Sequence, residues 1–264
     1  MRSAVAVLWL HWPPTITPLE VRTGPPILSS MQKRAVKVVI AAVASVMVTS
    51  AAATAQVAPT PAEMEAYDGL HAAVVAGSSS RMEQLVRTGA DVNTRDGFGR
   101  TPLMIAAYRG DIAVARALIE LGANVNALDH HSYDAVTIAA VRDDMEMLRL
   151  LLSSGGNARA IVGPVGGSAL IAAARRGNAP AVEALIDARA PIDHVDYLGN
   201  TALLEAVEHG KDDVRYLGVI KAIIDAGADL KRTDRQGRTA AALAQARGLS
   251  AVVRVLAPEP SQSQ

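Results

Sequence analysis

The stretch GRTPLMIAAYRGDIAVARALIELGANVNALD returns in weakened form along the chain, and no other feature limits the possible folds so narrowly. With Thr101 as a marker, equivalents fall at Asp68, Asp134, Ser168, Thr201 and Thr239, at spacings of 33, 33, 34, 33 and 38 residues. A near-constant period means one supersecondary unit copied about six times, each copy needing its neighbours to bury its apolar sides. Within the second unit, Leu103, Ile105, Ala106 and Ala107 precede Gly110, and Ile112, Ala115, Leu118 and Ile119 then recur at helical spacing, which predicts two short helices. Thr101 before Pro102 reads as an N-cap followed by a proline at the first helical position, where its missing N–H costs nothing. Gly110 and Gly122 read as helix stops in the left-handed conformation, and Asp96, Gly97, Phe98 and Gly99 as the turn that joins one unit to the next.

These residues resemble the ankyrin-repeat family. TPL stands at Thr101 to Leu103, GADVN at Gly89 to Asn93, GANVN at Gly122 to Asn126 and GAD at Gly227 to Asp229, with His71 at the histidine position of the first unit. The resemblance spans about Ala62 to Ala257. It implies an all-α solenoid of about six helix-pair units with protruding β-turn or hairpin loops, and a concave face built from turn tips and first helices. It also implies that His71 ties its own turn to the neighbouring unit.

Several units depart from the pattern. Asp143 replaces the mid-unit glycine and Arg189 the terminal one, so units three and four should have strained or altered helix ends. The turn before Ser168 is one residue longer than its equivalents and holds Gly163, Pro164, Gly166 and Gly167, which suggests mobility. In the fifth unit, five extra residues between Gly210 and Leu217, in the stretch KDDVRY, are expected to lengthen the connection between its helices.

Ahead of the repeats, Lys33, Arg34 and Lys37 precede the uncharged run Val38 to Val48, followed by Ala51, Ala52, Ala53, Thr54 and Ala55. That is the order of a signal peptide, with cleavage expected after Ala55. A spanning helix needs about 20 apolar residues, so a retained anchor is the rival reading. The expected organisation is an upstream, non-native extension over 1–30, a signal peptide over 31–55, a linker over 56–61, the repeat domain over 62–257 and a disordered tail over 258–264. The 209 residues past the cleavage point carry 21 basic and 25 acidic residues, a net charge of −4. A mildly acidic chain with one phenylalanine and no long basic run argues against binding nucleic acid. The absence of cysteine excludes disulfides and thiolate chemistry.

Weighed against packing, no catalytic constellation survives. The adjacent His130 and His131 lie on a predicted turn tip without a third ligand, and His194 and His209 stand alone. Asp143 with Asp144, and Asp212 with Asp213, precede helical runs and read as helix starts. GPVGG and GFG lack the spacing of a phosphate cradle, and Ser78 to Ser80 lack a nucleophile frame. No catalytic residue, metal or cofactor is therefore expected.

Phasing against the implied architecture assigns a partner-binding face to Phe98, Arg100, Tyr108 and Arg109 from the second unit, and to His130, His131, Tyr133 and Arg142 from the third. Arg175 and Arg176 follow from the fourth, and Tyr197, Glu205 and Glu208 from the fifth. Exposed aromatics and arginines are the residue types enriched in binding hot spots. The reading is an exported bacterial protein, periplasmic and monomeric, that binds another protein and meets the membrane only through its signal. An immunity or inhibitor protein that neutralises a toxin or enzyme is the alternative, and an enzyme with an unrecognised site a further one.

Overall fold

The computed structural model describes residues 58–257. The expected upstream extension, the signal peptide, residues 56–57 of the linker and the C-terminal tail lie outside the described residues. A short helix, α1 (Pro61–Ala66), precedes six helix pairs: α2 (Gly69–Val75) with α3 (Ser79–Arg87), α4 (Pro102–Arg109) with α5 (Ile112–Glu120), and α6 (Ala135–Arg142) with α7 (Met145–Ser153). Then come α8 (Ala169–Arg176) with α9 (Ala179–Asp187), α10 (Ala202–His209) with α11 (Val214–Asp225), and α12 (Ala240–Ala246) with α13 (Ser250–Leu256). Each first helix packs on the first helix of the next unit, and second helices do the same.

All six repeat markers are N-cap residues of first helices, and every one but Asp68 accepts a hydrogen bond from the backbone N–H three residues on. The first helices are enclosed: Pro102 to Tyr108 are buried without interruption in α4, as are Ala135 to Ala140 in α6. The second helices bury a single stripe, Val114, Ala115 and Leu118 in α5. The enclosed first helix is therefore the central layer of each unit, and each fully buried leucine or isoleucine contributes about 1.5–3 kcal/mol.

The helix ends follow the sequence with informative exceptions. Gly110 and Gly177 close α4 and α8 in the left-handed conformation. Asp143 and Arg189 adopt it too, both at φ 63°, so the substitutions leave the geometry intact and place the strain on the side chain. The paired aspartates divide their duties. Asp144 and Asp213 cap their own helices, α7 and α11. Asp143, however, closes α6, and Asp212 accepts hydrogen bonds from Ala251 N (2.9 Å) and Val252 N (3.2 Å) of the following unit, opening α13, whose own N-cap Leu249 has no capping side chain.

The insertion in unit five lengthens more than the linker. Two of its residues extend the connection after α10, and three extend α11, which runs 12 residues where α5 runs 9. Gly210 makes this possible by leaving α10 in extended backbone (φ −70°, ψ 166°), where a Cβ would clash with the Ala206 carbonyl oxygen and stand 3.2 Å from the Tyr216 ring. The glycine-rich turn of unit four is tied down from both sides. Val162 N donates to Gly167 O at 2.9 Å, Gly163 N to Ser132 O at 2.9 Å, and Tyr197 N to Val165 O at 2.8 Å. The rings of Tyr133 and Tyr197 lie against Gly163 and Gly166, so these glycines make room for neighbouring tyrosines.

Candidate partner-binding face

Four of the turns that project from the stack share one construction. Asp96 Oδ1 accepts the N–H groups of Phe98 and Arg100, each at 2.9 Å. Asp129 serves His131 and Tyr133 in the same way, Asp196 serves Leu198 and Asn200, and Asp234 serves Gln236 and Arg238. A carboxylate that takes two amides fixes the turn and points its tip outward. Phe98, His130, Tyr197 and Leu198 are exposed on these tips, Tyr197 at 68%, while His131 and Tyr133 are half-buried. His71 acts as its position implied: Nε2 lies 3.2 Å from Arg100 O, linking unit one to the turn of unit two. His194 is also engaged, with Nε2 2.6 Å from Gly166 O.

Three residues expected on the accessible face are internal. Arg100 is 1% exposed; its Nε donates to Asp96 Oδ2 at 2.6 Å, its Nη2 to the Tyr67 hydroxyl at 3.0 Å, and Glu63 Oε2 lies 3.4 Å away. Burial by itself raises the Asp96 pKa, but hydrogen bonds from Tyr67 and Arg100 outweigh it and hold the carboxyl below its ordinary value. Arg100 thus locks α1 and unit one onto unit two. Tyr108 is 7% exposed, with a hydroxyl that finds no hydrogen-bond partner among the described residues, and burial pushes its pKa up. Glu205 is 4% exposed; Oε1 accepts from Asn200 Nδ2 at 2.8 Å, and Oε2 lies 3.1 Å from His209 Nδ1 and 3.9 Å from Arg175 Nε. His209 Nδ1 is aligned instead on Glu205 O at 3.3 Å, so Oε2 has no hydrogen-bond partner among the described residues. One cause accounts for all three. First helices and the residues just before them are packed on both sides, so only the last one or two residues of an inner first helix emerge, and Tyr108, one place before Arg109, stays inside.

Those ends carry the remaining residues. Arg109, Arg142, Arg175, Arg176 and Glu208 are exposed at the C-terminal ends of α4, α6, α8 and α10. The structure brings Arg175 and Arg176 together with Asp143, His209, Arg215 and Tyr216 around a cleft of about 540 Å³. Arg176 Nε donates to Val141 O at 3.0 Å, and Arg215 donates to Gly177 O at 3.3 Å through Nε and to Arg176 O at 2.6 Å through Nη2. The Tyr216 hydroxyl donates to Arg175 O at 3.1 Å. Cations are favoured here because unpaired carbonyls give a helix C-terminus a partial negative charge. Sequence reading missed Arg215 and Tyr216, since the stretch KDDVRY was read as linker. Their signal was the insertion itself, which sets two large side chains at the mouth of a helix pair. Among the described residues, no group of three His, Cys, Asp or Glu side chains is placed to hold a metal, and no helix is long and apolar enough to cross a membrane.

A six-unit helix-pair solenoid with outward turns, whose inner first helices reach the surface only at their ends, defines a repeat interaction module. The family profile described as "Ankyrin repeats (3 copies)" matches residues 70–161 and 138–218. Among solved structures, an ankyrin repeat domain from Acinetobacter baumannii AYE is 33% identical, with a TM-score of 0.68 over 71% of this chain and 95% of that one. The ankyrin repeat protein EF0377 is 30% identical, with a TM-score of 0.65 over 72% of this chain and 98% of that one. The chain belongs to the ankyrin-repeat family. A further similar chain comes from the complex of a predatory endopeptidase of Bdellovibrio bacteriovorus with its immunity protein, at 26% identity and a TM-score of 0.62 over 72% of this chain and 97% of that one. No curated protein matches the sequence.

Proposed function

We propose that this ankyrin-repeat protein is exported to the periplasm by the signal at 31–55 and there, as a monomer, binds a partner protein through its turn tips and the ends of its first helices. The supporting observation is a division of labour. The stack uses the bodies of the first helices for its own packing, yet Phe98 and Tyr197 on turn tips and Arg142, Arg175 and Arg176 at helix ends stand outside that packing in units two to five. Exposed rings and arginines beside a cleft are what a binding surface requires. A second reading, that the partner is an enzyme or toxin held inactive, draws support from the similarity to a chain of the endopeptidase–immunity complex. The test is capture from a periplasmic extract on the immobilised repeat domain, with intact-mass analysis of the cellular protein. Retention of one or a few proteins, lost on combined substitution of Phe98, Arg142 and Tyr197 by alanine, is expected, together with a mass that begins at Gln56. Retention indifferent to those substitutions, or an uncleaved cytoplasmic product, would contradict the reading.

A further inference from the structure

The insertion in unit five changes what lies at the end of the preceding unit's first helix. At the junctions of units one and two and of units two and three a carboxylate of the next unit lies there: a Cβ on Gly77 would stand 3.9 Å from Asp111 Oδ2, and one on Gly110 would stand 3.1 Å from Asp144 Oδ2. At the junction of units four and five the same place, beside Gly177, is filled by the Tyr216 ring. Arg215 and Tyr216 also donate to three successive carbonyls at the end of α8, those of Arg175, Arg176 and Gly177. The helix end therefore loses both the facing carboxylate and the bare acceptors that would repel an anion.

What remains pointing into the cleft is cationic. Arg215 spends Nε and Nη2 on carbonyls, and Arg176 spends Nε, so each guanidinium is held in place and still has terminal N–H groups in hand. The Arg175 side chain is 57% exposed, and its one ion pair among the described residues is the 3.9 Å contact with Glu205. Guanidinium groups anchored in this way lose little freedom when they take a carboxylate in a forked pair of hydrogen bonds. The single acidic residue on the wall is Asp143.

We propose that this cleft is a carboxylate-binding site that receives an Asp- or Glu-rich segment of a partner protein, with Arg175, Arg176 and Arg215 as its donors. The proposal rests on the reading of the chain as a protein-binding module. Charge complementarity favours an acidic peptide over a nucleic acid. Past residue 55 the chain is acidic overall, 25 to 21, yet three of the six residues lining the cleft are arginines, while the phenol ring on its wall, Tyr216, is held beside Gly177 with its hydroxyl donated to Arg175 O.

The test follows binding of a fluorescein-labelled oligoglutamate peptide to the purified protein by fluorescence anisotropy, with inorganic phosphate and oligothymidylate as competitors and thermal melts as a folding control. The expected result is salt-sensitive binding, weakened about tenfold by Arg175→Gln with Arg176→Gln and unchanged by Arg81→Gln with Arg87→Gln on α3. Because Arg176 also holds Val141 O, Arg175→Gln alone is measured as well; it should leave the melt unchanged and weaken binding about threefold. Absence of binding, binding indifferent to Arg175→Gln, or displacement by phosphate or oligothymidylate at lower charge concentration than free oligoglutamate would overturn the assignment. None of those results touches the module reading, which is decided by partner capture.

Discussion

Between units two and three, Asp144 caps α7 through the Met147 N–H at 3.0 Å and sets its carboxylate beside Gly110. Between units four and five, Asp213 caps α11 through the Tyr216 N–H at 3.1 Å, one turn further out, and Tyr216 takes the place beside Gly177. The hydrophobic layers beneath are the same in kind, since Leu118 and Ile223 occupy matching positions and both are fully buried. The two junctions teach that a solenoid tolerates an insertion where one helix pair turns over, because stacking is carried elsewhere, and that such an insertion can change the charge at a helix end without disturbing the core.

The widest break in this comparison would come from the core. Leu118→Ala and Ile223→Ala should each destabilise by about 2–5 kcal/mol in urea denaturation. A markedly smaller loss for Ile223→Ala would mean that the insertion had loosened the layer beneath it. Asp212→Ala should cost about 0.5–2 kcal/mol, because it uncaps α13 from the neighbouring unit, and the loss should appear first in hydrogen exchange of α13. If α13 is unaffected, the inserted segment does not reach across. Arg189→Gly should raise stability by about 1 kcal/mol, since it removes a side chain from left-handed backbone, and Asp143→Gly should gain less, aspartate being better tolerated there.

The smallest effect concerns Asp134, which stands where the flanking first helices have Thr101, Ser168, Thr201 and Thr239. Burial raises its pKa above 3.8 in the folded state, so over the window from 3.8 up to the raised value the folded chain holds a proton that the unfolded chain has lost. Stability attributable to this group is therefore greatest below that window and falls as pH rises through it. Asp134→Thr keeps the cap and removes the titration, so the difference in urea midpoint between wild type and variant should grow in the variant's favour from about pH 4 to about pH 7. A constant difference would show that burial of the carboxylate costs nothing.

The unit count, the N-caps, the left-handed helix ends and the role of His71 were legible because each depends on residue type at a fixed place in a period. The accessible face was only partly legible. Phe98, Arg142, Arg175, Arg176 and Tyr197 are exposed as phasing suggested, but Arg100, Tyr108 and Glu205 carry surface-type side chains in enclosed positions. Periodicity gives the direction of a side chain within its unit. It does not report that Tyr67, Asp96 and Glu63 gather around Arg100, a contact across units that depends on α1, which lies ahead of the first helix pair. The cleft was hidden for a related reason, since two of its lining residues, Arg215 and Tyr216, come from an insertion with no counterpart in sister units.

The central claim is that binding and stacking are carried by different parts of each unit, with the partner meeting turn tips and first-helix ends. Site-specific photocrosslinking in the native host tests it directly, with a photoreactive phenylalanine analogue placed singly at Tyr197, Arg142 and Arg175, and at Lys221 and Glu83 on second helices. The account predicts one common crosslinked species from the first three positions and none from the last two. Crosslinks from Lys221 or Glu83, with none from Tyr197, Arg142 or Arg175, would contradict it.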